Sequence, residues 1–177
     1  MIHESSYWKD DLIKCSQKLS KRSYQKKWFE RSFVAAEKEI FISFYAVRKL
    51  IESNKLTTKL CNKTFAVKTH NNLGKVVNQI NRHDIDELYD LITHKKTDLN
   101  LRTICNLIIH SYIFIFNLEK GRLDGIFVTS DFTKDTNLYW ISIKTLANIL
   151  NEVGENYPSK IVYKIKKGKK DFEVIKY

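Results

Sequence analysis

The chain has 177 residues, with 31 Lys and Arg against 20 Asp and Glu, for a formal net charge of +11. A hydrophobic fraction of 43% is ordinary for a globular protein that buries a full core, and five glycines with one proline leave little composition for long irregular loops. Three scattered cysteines (Cys15, Cys61 and Cys105) without a CxxC pair argue against a disulfide framework and against a zinc site.

The opening, MIHESSYWKDD, has no basic stretch followed by an apolar one, so no signal peptide is expected and cytoplasmic residence follows. Residues 5–22 then read as an amphipathic helix capped by Ser5 or Ser6. Trp8, Leu12, Cys15 and Leu19 form its apolar face, and Lys9, Lys14, Lys18 and Lys21 fall opposite. Residues 25–53 carry the clearest helical signal: Phe29, Phe33, Ala36, Ile40, Phe44, Val47 and Ile51 step by threes and fours. Arg48 lies beside that stripe and is expected to snorkel to water. Residues 54–80 read as a connecting loop holding a short strand at the alternating patch Phe65 and Val67, with breakers at Asn71, Asn72 and Gly74. His70 and His83 are expected at the surface.

Residues 83–93 predict a short helix with Ile85, Leu88 and Ile92 on its apolar face, and HKKTD predicts a turn. Leu99 to Phe116 is the most apolar run. Asp98 is a candidate N-cap for a helix carrying Leu101, Ile104, Cys105, Ile108 and Ile109, and from Ser111 the aromatic and β-branched residues turn to strand. Asn106, His110 and Ser111 interrupt it, so it is no membrane span, which needs roughly 20 apolar residues. A turn at Gly121, strands at 123–129 and 138–143, a helix at 144–153 ended by Gly154, and a last hairpin around KKGKK complete the chain. The expected fold class is α+β in one domain: an N-terminal helical bundle with one long helix over 1–110, then a small antiparallel β-sheet with one short helix over 111–177.

Two features carry chemistry. Arg102, Asn106 and His110 share one side of the predicted helix. One interpretation buries His110 in the core with Asn106 as its hydrogen-bond partner; the other makes the three residues a site. The second feature is the last hairpin, where Lys160, Lys164, Lys166, Lys167, Lys169, Lys170 and Lys176 interleave with Tyr163, Phe172 and Tyr177. Aromatics among lysines on a sheet suit base stacking and phosphate contact, with Lys164, Lys166, Lys167, Lys169 and Lys170 as the nucleic-acid-binding set. The bland alternative is an edge hairpin guarded by lysines. Net charge favours an anionic partner, although Lys outnumbers Arg and bidentate phosphate recognition leans on Arg.

The run Cys105, Asn106, Leu107, Ile108, Ile109, His110, together with FYAVRKLI in the long helix, resembles the HEPN superfamily over residues 25–53 and 98–111. The family motif is an Arg, a polar residue, three further residues and a His; here Cys105 stands in the place of the Arg, and Arg102 lies one turn earlier. The resemblance implies a metal-independent endoribonuclease without a cofactor, acting as a homodimer, or its non-catalytic binding relative in phage defence or a toxin–antitoxin pair. In the active form His110 would move protons at a ribose 2′-OH and an Arg would stabilise the phosphorane, with Asn106 beside them. With Cys105 in the Arg position, the expectation is the non-catalytic relative, with an RNA or an acidic protein as partner. A structural adaptor whose charge is incidental is the third possibility.

Overall fold

The computed structural model describes residues 2–165 and 172–177. In chain order the elements are α1 (Ser6–Arg22), α2 (Glu30–Glu52), α3 (Thr58–Asn62), β1 (Thr64–Asn71), α4 (Ile85–Leu88), β2 (Lys95–Asn100), α5 (Leu101–Ile109), β3 (Ser111–Glu119), β4 (Arg122–Ser130), β5 (Asn137–Ser142), α6 (Ile143–Gly154), β6 (Ile161–Ile165) and β7 (Phe172–Lys176). The fold is α+β. Five antiparallel strands pair in the order β2-β1-β5-β4-β3, and β6 and β7 form a separate two-stranded ribbon. No helix among the described residues is long and apolar enough to cross a membrane.

Period-two alternation assigns the sheet's two faces. Phe65, Val67, Ile126, Val128 and Ile141 join the core built by α1, α2, α5 and α6. Ile113 and Leu138 face the other way, where Val77, Leu88 and Tyr89 of the segment before β2 cover them. In α2 the stripe Ala36, Ile40, Phe44, Val47 and Ile51 is buried, as its spacing requires. The helix starts at Glu30, however, and residues 25–29 of the expected span lie outside it; Phe29 is 68% exposed.

Several expectations are corrected. The short strand expected at Phe65 and Val67 is the eight-residue β1, which runs on to Asn71 and pairs with β2 on one side and β5 on the other. Phe65, Val67 and Thr69 are buried on one face, while the residues between them, Ala66 and Lys68, point to the other. HKKTD is mostly the strand β2, whose charges suit a sheet edge and therefore mimic a turn. With β1 and β2 inside residues 1–110, the sheet draws on both parts of the chain rather than following a helical part. The expected helix over 83–93 contracts to the single turn α4, leaving Ile92 93% exposed while Tyr89 is sealed, its hydroxyl donating to the carbonyl of Lys134 at 2.5 Å. Asp98 does not cap α5; Asn100 does, its side-chain oxygen accepting from the backbone N–H of Thr103 at 2.9 Å. His70 is buried, with Nδ1 2.9 Å from the carbonyl oxygen of Asp90, whereas His83 is exposed as expected.

On α1 the helical face was legible and one residue was not. Leu12, Cys15 and Leu19 are buried and Trp8 is 38% exposed, but Lys9 is fully buried. Gly154 does not follow α6; it is inside it, where a Cβ would stand 2.4 Å from Cγ1 of Ile13. The glycine allows α1 and α6 to touch along their backbones.

Candidate nucleic-acid interface

Arg102, Asn106 and His110 are brought to one exposed face of α5, and none of them enters the core. This overturns the expectation of a buried His110 paired with Asn106. The amphipathic register of α5 decides it: Leu101, Ile104, Cys105, Leu107 and Ile108 are buried, and the three polar residues take the remaining arc. His110 is the C-cap, its backbone N–H donating to the carbonyl of Asn106 at 3.0 Å. The Asn106 side chain instead accepts from the guanidinium of Arg48, whose Nε donates to Glu52 at 2.6 Å. Arg48 therefore does more than snorkel: it ties α2 to α5 and sets a guanidinium beside Asn106. Hydrogen bonds from Arg48 first and from the Lys49 ammonium second, the latter at 3.2 Å, hold the Glu52 carboxyl below its ordinary range. Cys105, in the place of the family's Arg, is fully buried, and burial pushes its thiol up to about 12. No side chain at that position on α5 reaches solvent.

The lysine hairpin is described only in part. Lys164 is exposed on β6, opposite Glu173 on β7. Lys176 is buried, its backbone N–H bonding Oγ1 of Thr58 at 2.8 Å and its ammonium bonding Asn54 at 3.3 Å, so it anchors the ribbon to the body. Lys166, Lys167, Lys169 and Lys170 lie outside the described residues. Among the described residues no group of three or more His, Cys, Asp or Glu could hold a metal ion.

A cleft of about 1030 Å³ lies elsewhere, between the end of α1, the β3–β4 turn and the start of α6. Its walls carry Lys26, Lys120, Arg122 and Lys144 against Glu119 and Asp124. None of the four cations has an ion-pair partner among the described residues. Asp124 accepts from the Asn117 amide at 3.4 Å.

Local structure fixes these positions. Lys120 and Gly121 have φ of +50° and +74°, the left-handed pair of a tight two-residue hairpin turn, which sets Lys120 and Arg122 at the tip. A Cβ on Gly121 would lie 3.7 Å from the carbonyl oxygen of Lys26, so the segment after α1 closes directly on the turn. Ser142 caps α6, its hydroxyl accepting from the backbone N–H of Thr145 at 3.0 Å, so the positive end of the helix faces the cleft beside Lys144. Tyr24, 76% exposed, stands at the rim.

On the sheet face opposite α1, α2, α5 and α6, the Trp140 indole lies on Gly125, where a Cβ would be 2.9 Å from the ring. The ammonium of Lys68 sits 4.4 Å from the Trp140 ring centre. Sequence reasoning missed this whole assembly. Its residues are scattered from Tyr24 to Lys144 with no local spacing, and only the net charge signalled them.

No family model, no curated protein and no solved structure matches the chain.

Proposed function

We propose that this chain is a non-catalytic RNA-binding protein that holds the phosphate backbone in the cleft between α1, the β3–β4 turn and α6. One observation carries the proposal: four cations without ion-pair partners among the described residues converge there on a capped helix N-terminus. Backbone N–H groups and point charges of this kind attract phosphate oxygens without reading base edges. Tyr24 at the rim offers a face for a base, and stacking of that sort tolerates any sequence. HEPN kinship, and with it a role in phage defence or a toxin–antitoxin pair, is part of this proposal through the α2 and α5 segments. The helical-bundle arrangement of that family belongs with it as a proposal too.

Filter binding of a labelled single-stranded RNA tests it. Arg122→Gln and Lys144→Gln together should weaken binding roughly tenfold or more, while Lys38→Gln on the exposed side of α2 should change it little. Equal effects from the control and the cleft variants would reject the cleft.

A metal-independent RNase is the second reading, and Arg48 favours it. Its guanidinium sits against Asn106 on the face that also carries Arg102 and His110, so a charge-stabilising group is at hand although Cys105 occupies the motif position. Cleavage of RNA by wild-type protein, lost in His110→Gln and Arg48→Gln, would replace the binding role with this one.

A further inference from the structure

The sheet has two edges, β2 and β3, and they are built differently. β2 places Lys95, Lys96 and Asp98 in six residues, charges that discourage a further strand from pairing. β3 carries no charged side chain from Ser111 to Leu118, and no Pro or Gly. Bulges interrupt its ladder with β4 between Ser111 and Ile113 and between Asn117 and Leu118, leaving Ile113 to Asn117 in unbroken register. Among the described residues no strand pairs with the outer side of β3.

A groove of about 220 Å³ follows this edge. It is lined by five consecutive residues, Ser111 to Ile115, and walled by Arg82 and His83. Arg82 is the informative group. Its Nε is buried and has no hydrogen-bond partner, and among the described residues the guanidinium makes no ion pair. The guanidinium carbon stands 6.0 Å from the Tyr112 ring centre, and Lys134, itself paired with Asp131, stands 4.6 Å from the same ring. The buried, unpartnered Nε holds the guanidinium fixed over Tyr112 without neutralising its charge, and its partly exposed end can donate to a carboxylate in the groove.

We propose that this groove is a strand-addition site for an extended, acidic segment of a partner protein. The segment pairs its backbone with β3 as a sixth strand, and one of its carboxylates takes the Arg82 guanidinium. Charge selects the occupant. A second copy of a chain with net charge +11 would bring another cationic groove against the first, whereas an acidic segment brings carboxylates into it. The site is separate from the cleft between α1 and α6 and does not depend on it.

The probe is a fluorescein-labelled, capped peptide of about nine residues alternating valine and glutamate, the period of a strand with one face toward the protein. Binding to the full chain is read by anisotropy. A strand that adds to an edge uses the N–H groups of alternate residues only. N-methylation at every second residue should therefore abolish binding in one frame and spare it in the other. A glutamine-for-glutamate twin, and Arg82→Gln with the original peptide, should each weaken binding roughly tenfold. Arg122→Gln with Lys144→Gln should leave it unchanged, which separates this site from the RNA cleft. If Arg82→Gln fails to fold, the two N-methylated frames still decide the matter. Equal binding of both frames, loss of peptide binding in the cleft variant, no saturable binding of any peptide, or a dimer in sedimentation equilibrium that Ile113→Lys dissolves would each overturn the proposal.

Discussion

The guanidinium of Arg48, on α2, donates to the side-chain oxygen of Asn106, on α5. The two residues are 58 apart in sequence, and the bond crosses the outer seam between the two helices. Both groups are partly open to water, so the net contribution is that of an ordinary hydrogen bond. A double-mutant cycle of Arg48→Ala and Asn106→Ala by urea unfolding should return a coupling of about 1 kcal/mol. Strict additivity of the two would mean that the contact contributes nothing to stability.

Gly154 makes a stronger prediction. Alanine is the better helix former by about 1 kcal/mol, so propensity alone favours Gly154→Ala. Packing opposes it, since the new methyl would stand 2.4 Å from Cγ1 of Ile13 and 3.0 Å from the carbonyl oxygen of Lys9. Separating α1 from α6 should win, with a net loss of about 1–3 kcal/mol. Thermal melting should place the variant clearly below wild type. A rise in melting temperature would show that the helices part without cost.

The sequence made the helices legible where one stripe sufficed, as in α2, where Ala36 to Ile51 repeats without a break. It failed where meaning came from a distant partner. β1 shows in the sequence only as a short alternating patch at Phe65 and Val67; its full length and its place between β2 and β5 are set by pairing that no local window contains. β2 looks like a turn because an edge strand is charged by design. His110 sits in an apolar run, yet the helical register of its neighbours turns it outward. Arg122 and Lys144 meet in the cleft only because β4 and β5 pair and α6 follows immediately.

Lys9 shows the same limit and gives a pH dependence. Its ammonium donates to the carbonyl of Lys55 at 3.0 Å and to that of Asn156, and lies 3.7 Å from the centre of the Tyr157 ring. Burial first, and the charge of Lys55 second, hold its pKa down at about 8. The unfolded chain keeps the ordinary value near 10.5, so between those limits the unfolded state binds more protons and stability rises with pH. That increment is fully present above the unfolded pKa and is lost as pH falls through about 8. Comparing urea midpoints at about pH 7 and pH 10 should give wild type a gain on the order of 1–3 kcal/mol that Lys9→Met lacks. Identical pH profiles for the two proteins would mean that Lys9 titrates normally.

Salt dependence tests the number of phosphates in the cleft. Counter-ion release from a single strand gives a slope of about −0.7 per phosphate neutralised, so four cations predict a slope near −3 in log affinity against log salt. Arg122→Gln should bring that slope closer to zero by about 0.7, with equal losses on unrelated RNA sequences. A loss confined to one sequence would indicate base recognition in place of phosphate contact.

His110 separates the binding role from catalysis. Its imidazole is exposed, and the residue's hydrogen bond to Asn106 is made by the backbone, which survives substitution. Both His110→Ala and His110→Gln should therefore unfold within about 0.5 kcal/mol of wild type, as surface substitutions do. A buried imidazole would instead cost about 1–3 kcal/mol when removed, through an orphaned partner and a cavity. RNA affinity should be unchanged in both variants, because the cleft lined by Lys120, Arg122 and Lys144 does not include His110. Incubation of wild type with labelled RNA should leave it intact. Glutamine keeps hydrogen-bonding capacity but cannot exchange protons near neutral pH. Cleavage by wild type that a stable His110→Gln protein lacks would therefore identify a working nuclease centre, with Arg48 as the group to test next.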